Sequence, residues 1–279
     1  MLGQVWAFLI LLFILISQAQ AGPLRVFFLD AGEGEAIYLQ GPFGERFLID
    51  TGNLITGYQV GQFLLRHGGP RLDYLFITHP HPDHIGGIFY LLQRFRVKIW
   101  GDNGESVPQD QELFRWYEKL FRRGRYRIFR AGQRFSIGRG QLEILWPGTL
   151  SHSWNENSLV MQLTYGKIRF LFMGDASRRV ETALLSMYPH LKAEVLKVGH
   201  HGAIDASSEA FLQRIRPKIA VICINQGNFH GYPSPEIVRR LKAVGARVFI
   251  TGLDGTILVE TDGQYLHVFS LGRLDHFGN

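Results

Sequence analysis

A chain of 279 residues with 46% hydrophobic side chains can bury a large core, which excludes disorder as its main state and leaves one large α/β domain or two small ones. Its 30 Lys and Arg against 24 Asp and Glu give a net charge of +6, which favours anionic partners such as nucleic acid, teichoic acid or phospholipid headgroups. The single cysteine, Cys223, excludes an internal disulfide and a Cys-based structural zinc site, so stability must come from the core or from bound metal.

The chain opens on an uncharged apolar run, Val5 to Ile16, followed by Ser17-Gln18 and the small-residue stretch Ala19-Gln20-Ala21. This pattern reads as a secretory signal peptide over residues 1–21, cleaved before Gly22, because the run is shorter than the roughly 20 residues of a bilayer-spanning helix. The mature chain, residues 22–279, is then exported to the periplasm or beyond, without stable membrane insertion. The n-region has no Lys or Arg, so an uncleaved N-terminal anchor is the alternative.

Short strands are predicted at Leu24 to Asp30, Glu35 to Gln40 and Arg46 to Asp50, separated by Gly-rich turns, so the domain begins as an antiparallel meander. Tyr58 to Arg66 has helical spacing, and Asp73 to Thr78 is a strand running into a His-rich segment. A helix opens at Gly86-Gly87 and reaches about Arg94; Val97 to Trp100 is a strand, Gln109 to Arg123 an amphipathic helix and Gln141 to Trp146 a strand.

The second half repeats this grammar. Strands are predicted at Ser158 to Tyr165, Lys167 to Met173, Val195 to Val198, Ile219 to Ile224, Arg247 to Ile250, Thr256 to Glu260 and Tyr265 to Phe269. Helices are predicted near Arg178 to Met187, Ser207 to Arg214 and Pro235 to Val244. Two strand-rich halves with helices and no linker imply one α+β domain, a four-layer αβ/βα sandwich of two facing sheets.

The chemistry concentrates in His79-Pro80-His81-Pro82-Asp83-His84. In an extended loop, His79 and His81 stand two residues apart and point the same way, so both imidazoles reach one ion, while Asp83 and His84 turn toward a second position. Imidazole and carboxylate without thiolate suit Zn²⁺, Mn²⁺ or Fe²⁺. Asp50, Asp175 and the pair His200-His201 follow three other predicted strands, and ligands on strand ends of one rim converge on one crevice. His67, His190, His267 and His276 stand alone and read as surface or capping residues.

These residues resemble the metallo-β-lactamase superfamily, and within it the hydrolase domain of ComEC-type competence proteins. The stretches that carry the likeness are Leu29 to Ala36, Leu48 to Gly52, the His cluster with Ile85-Gly86-Gly87, Asn155 to Val160, Met173-Gly174-Asp175 and Leu196 to Gly202. The resemblance implies two divalent metal ions, zinc or manganese. His79 and His81 would hold one, Asp83 and His84 the other, and Asp175 would bridge them. One of His200 and His201 would complete the second site, the other lying near a substrate phosphate. Asp50 would hydrogen-bond a ligand imidazole and fix its tautomer; as a strand-end residue it equally reads as a turn cap.

Two departures from the family pattern stand out. A further His for the first metal is missing; the candidates at that place are His152 and Asn157, with Asn157 the family-type residue. The pattern Tyr-Gly-His-Pro is replaced by His230-Gly231-Tyr232-Pro233, so either His230 or Tyr232 could contact substrate or protonate a leaving group. Asp83, His201 and His230 are the candidates for direct catalytic participation.

Two such ions would activate a water and neutralise charge on a phosphoryl or carbonyl oxygen, so no nucleophilic side chain is required. The sequence has neither a Gly-x-Ser-x-Gly elbow nor a P-loop. The leading expectation is a metal-dependent phosphodiesterase acting on an anionic substrate, single-stranded DNA or another phosphodiester. Phosphorylcholine esters, lactones and β-lactams are alternative substrates, and a non-cleaving single-stranded DNA-binding module is an alternative class. The stretch Phe121 to Arg130 interleaves arginines with aromatics, as single-strand grooves do, or is a helix end and strand with a solvated basic face whose aromatics belong to the core.

Overall fold

The computed structural model describes residues 22–122 and 124–272; the signal-peptide reading of residues 1–21 and His276 lie outside them. One eight-stranded sheet runs in the order β15-β14-β1-β2-β3-β4-β5-β6. Its strands are β1 (Leu24–Phe28), β2 (Ile37–Gln40), β3 (Arg46–Ile49), β4 (Arg71–Phe76), β5 (Arg96–Asp102), β6 (Tyr126–Ile128), β14 (Ile257–Thr261) and β15 (Leu266–Ser270). A seven-stranded sheet runs β13-β12-β11-β10-β9-β8-β7. It is built from β7 (Arg134–Ile137), β8 (Gly140–Trp146), β9 (Val160–Tyr165), β10 (Ile168–Phe172), β11 (Val195–Lys197), β12 (Ile219–Ile222) and β13 (Arg247–Ile250).

Each sheet changes character midway. β15 through β3 pair antiparallel and β3 through β6 parallel; in the other sheet β7 through β10 pair antiparallel and β10 through β13 parallel. Parallel pairing needs crossovers, and the helices supply them. On the first sheet lie α1 (Gly57–His67), α2 (Pro82–Ile85), α3 (Ile88–Arg94) and α4 (Glu112–Phe121); on the second, α5 (Arg178–Met187), α6 (Glu209–Ile215) and α7 (Pro235–Ala243), with α8 (Thr251–Asp254) following β13.

Alternation along the strands sends Phe28, Ile49 and Phe76 of one sheet against Leu163, Phe172 and Val221 of the other. The opposite faces take up the apolar stripes of the helices: Val60, Phe63 and Leu64 of α1 and Phe114, Tyr117 and Leu120 of α4 on one side, Val180 and Leu184 of α5 on the other. Each such side chain contributes roughly 1.5–3 kcal/mol on full burial. The result is the four-layer αβ/βα sandwich that the element pattern implied.

Differences from the predicted elements are local. β7 is not among the predicted elements, and neither are α2 and α8. The Phe121 to Arg130 stretch forms the end of α4 and the edge strand β6, with its aromatics turned inward: Phe121 stacks on Tyr126 at 4.2 Å and Phe129 packs on Phe76 at 4.8 Å. Among the described residues of this stretch no row of exposed rings is left for bases to stack on. Arg125 and Arg130 donate to the carbonyls of Val97 and Asn103.

Candidate metal centre

The cluster sits where the parallel strands of both sheets end. After β4 the chain stays extended through His79-Pro80-His81, since each proline bars the preceding residue from helical backbone angles; His81 has φ −67° and ψ 145°. Pro82 then opens α2, whose single turn carries Asp83 and His84. Thus the two alternating imidazoles come from a loop and the next two ligating groups from a helix. Gly34 lets the β1–β2 connection close over this turn, because a Cβ there would lie 2.6 Å from the Asp83 carbonyl.

On the other sheet, Gly174 takes a positive φ of 51° after β10 and turns Asp175 into the cleft. After β11, His200 and His201 both adopt left-handed angles, φ 47° and 50°, rare for non-glycine residues. That turn swings one imidazole inward and the other outward. His201 is buried, with Nδ1 2.6 Å from the Cys223 carbonyl at the end of β12. A carbonyl only accepts, so Nδ1 carries the proton and Nε2 faces the cluster with a free lone pair.

Asp50, at φ 56° after β3, performs the same service for His84. Its Oδ2 lies 2.8 Å from His84 Nδ1 and accepts from Thr78 Oγ1 at 2.8 Å, while Oδ1 accepts from Thr78 N at 2.7 Å. His84 Nε2 is thereby turned to the centre.

The inward-facing atoms lie at a common spacing. His84 Nε2 is 3.6 Å from Asp83 and 3.5 Å from Asp175; His201 Nε2 is 3.3 Å from Asp83 and 3.5 Å from Asp175; His79 Nε2 is 3.6 Å from Asp175. Strong charged hydrogen bonds are shorter, about 2.7–2.9 Å. Two donors each about 2.1 Å from one ion at a tetrahedral angle stand about 3.4 Å apart. Moreover, His84 Nε2, His201 Nε2 and Asp175 Oδ1 are buried without a hydrogen-bond partner, which is costly unless a cation satisfies them. The donor set therefore fits divalent metal: His79, His84 and Asp175 converge within ligating distance of one another, as do Asp83, His84 and His201, and His81 adjoins His79, their facing nitrogens 2.8 Å apart.

The electrostatics distinguish the members of the cluster. Burial and the neighbouring His84 hold His79 well below its usual pKa, keeping it neutral. Burial disfavours charge on His84 too, yet Asp175, Asp50 and Asp83 outweigh it and raise its pKa. Asp175 is held well below the carboxylate range despite burial, by His201, His84 and His79.

Other expected site residues lie elsewhere. His200 is not in the cluster: Nδ1 is 3.0 Å from Asp205 and Nε2 3.2 Å from Asn155, because the left-handed turn directs its ring outward. His152 is exposed and lines a separate cleft with Glu156 and Arg179. Asn157 is buried but spent on structure, donating to Glu105 at 2.8 Å and accepting from Ser151 N at 2.6 Å, so it has no atom left for an ion. From the same loop it is Trp154 whose ring approaches His81, at 5.2 Å. His230 is exposed and stacks on Tyr232 at 5.4 Å; Tyr232 in turn meets His200 at 5.7 Å. These three rings form a rim beside the centre.

Glu35 and Lys197 were given no role from the sequence. Both are fully buried and form an ion pair beneath the cluster; Lys197 Nζ also donates to Gly174 O at 2.9 Å and lies 3.9 Å from Asp175 Oδ1. The available signal was a charged residue in each of two otherwise apolar strand-and-turn stretches. Ser158 was missed as well: its Oγ accepts from Asp175 N at 3.0 Å and lies 3.3 Å from His79 Nδ1, joining the two sides.

This fold and this donor set are of the metallo-β-lactamase type, and residues 29–226 match the family model of the metallo-beta-lactamase superfamily. The chain belongs to that superfamily. It is 29% identical over 269 residues to ComE operon protein 3 of Bacillus subtilis (strain 168), covering 88% of this chain and 34% of the relative. It is 27% identical over 259 residues to Competence protein ComA of Neisseria gonorrhoeae, covering 90% of this chain and 35% of the relative. The chain thus spans about a third of the length of these relatives. Among solved structures, the metallo-beta-lactamase fold protein YhfI from Bacillus subtilis superposes with a TM-score of 0.53 at 14% identity, over 81% of this chain and 96% of that one. Among the described residues no helix is long and apolar enough to cross a membrane.

Proposed function

We propose that this protein is an exported phosphodiesterase that cleaves nucleic acid, single-stranded DNA foremost, with two divalent ions held by the His and Asp cluster. The observation that carries the reading is the His and Asp cluster whose facing atoms lie 3.3–3.6 Å apart, with His84 Nε2, His201 Nε2 and Asp175 Oδ1 buried and unpartnered. The competence-protein relatives support a nucleic-acid substrate. When bound, two such ions supply a water ionised near neutral pH and neutralise charge on a phosphoryl oxygen.

The chain's own residues then bind and orient. His200, half-buried with its two ring nitrogens held by Asp205 and Asn155, fixes the loop beside the centre. Beside it a cavity of about 520 Å³, lined by Ser153, Asn155, Ser177, Arg178 and Asp205 among others, accommodates a flanking nucleotide. The exposed face of the His230 and Tyr232 stack offers a base a ring to lie on.

The test is metal analysis of the purified protein together with turnover of single-stranded DNA and bis-p-nitrophenyl phosphate by the wild type, Asp83→Ala and His84→Ala. The reading expects metal in the wild type, phosphodiester cleavage abolished by chelator, and a loss of at least about 10³-fold in both variants. Full activity in the variants, or rapid nitrocefin hydrolysis with inert phosphodiesters, refutes it.

A further inference from the structure

Strand direction gives this molecule two chemically opposite ends. The parallel strands finish at the metal centre with Asp50, His79, Asp175 and His201. At their other end, β4, β5 and β13 begin on Arg71, Arg96 and Arg247, and Lys167 and Lys218 directly precede β10 and β12. These five side chains are exposed, as is Arg216 in the turn before β12. The acidic residues at this end are fewer: Asp73 lies 3.7 Å from Arg71, Glu194 grips Arg169 at 2.8 Å, and Asp262 accepts from Gln264 N at 2.8 Å. Among the described residues Arg96, Lys167, Arg216, Lys218 and Arg247 form no ion pair, so positive charge is in excess at this pole.

Two further facts fall at the same end. β1 runs in the same direction as β3, being antiparallel to β2, so Leu24 enters the fold at the basic pole. The uncharged apolar run Val5 to Ile16 precedes it in sequence. Two turns here expose aromatic rings: Phe43, 62% exposed between β2 and β3, and Tyr265, 70% exposed between β14 and β15.

We propose that this basic pole docks on anionic phospholipid headgroups, with Phe43 and Tyr265 at the interface and the metal centre directed away from the bilayer. Cationic side chains around an aromatic and apolar element are the composition that binds such a surface. A nucleic acid track fits less well, because the pole lies at the opposite end of the strands from the hydrolytic centre. The proposal does not depend on what the centre hydrolyses.

Co-sedimentation of the full chain with phosphatidylcholine vesicles, with and without phosphatidylglycerol, tests it against the triple variant Arg71→Glu, Lys218→Glu, Arg247→Glu. Comparing both lipids in both proteins separates the pole from any contribution of the apolar run. The expected result is a salt-sensitive preference of the wild type for phosphatidylglycerol that falls roughly tenfold or more in the variant, with metal content and thermal midpoint retained. The corresponding Gln triple variant reads the same loss if charge reversal disturbs folding. No preference in the wild type, or one that survives both triple variants, overturns the proposal. So does a charge-dependent capture of single-stranded DNA at this pole that vesicles do not displace.

Discussion

The buried pair under the cluster gives the sharpest test of how this centre is built. Replacing Lys197 by Met removes the cation from a site where both partners have no exposed surface. Glu35 already has its pKa raised, since burial outweighs the attraction of Lys197. Without that attraction it must either stay charged in a dry pocket or take up a proton at neutral pH. Breaking one side of a buried pair costs about 3–5 kcal/mol, a large part of the roughly 5–15 kcal/mol that holds a domain together. With an unfolding entropy of about 2.1 cal/mol/K per residue over roughly 250 residues, the midpoint falls by about 6–10 °C. Glu35→Gln on its own strands the lysine and is expected to be similarly harmful. The double variant Glu35→Gln, Lys197→Met removes both charges and is expected to recover at least about 2 kcal/mol over the sum of the single losses. Urea unfolding of the four chelated proteins measures this cycle. If the single losses add within about 0.5 kcal/mol, the pair is uncoupled and the reasoning fails.

Asp50→Asn keeps the shape of the side chain but weakens its hold on His84 Nδ1 and Thr78; metal affinity should drop by about 10–100-fold, read by competition with a chromogenic chelator. An unchanged affinity would show that His84 needs no orienting partner. Away from the site, Glu194 is held below its usual 4.5: burial opposes its charge, but the two-pronged contact with Arg169, at 3.1 and 2.8 Å, prevails. A depressed carboxylate stabilises the fold above its unfolded pKa and loses that contribution as pH falls through its folded value. Glu194→Gln should therefore cost about 1 kcal/mol at pH 7, modest because both groups are partly exposed. The deficit should shrink as the pH drops below 4.5, and thermal scans across that range would expose a pH-independent loss as a failure of the assignment.

What the sequence determined by itself follows from short-range chemistry. The alternation of apolar residues placed most strands and the long helices, because side-chain period and secondary structure are coupled within a few residues. The His79 to His84 segment was legible for the same reason: its prolines and its spacing act locally, and Asp50 and Asp175 were visible as acids at the ends of apolar strands. β7 and the one-turn helices α2 and α8 were not, being too short to show a period.

Tertiary structure alone decided which of two neighbouring histidines turns inward. His200 and His201 are identical in type and adjacent, and only the left-handed turn after β11, with the Cys223 carbonyl waiting for His201, separates them. The same holds for Asn157, drawn off by Glu105 from a distant loop, and for Lys197, whose partner Glu35 lies in the β1–β2 connection of the other sheet. A buried charge declares its partner only when the two sheets are packed face to face, and that is information no local pattern contains.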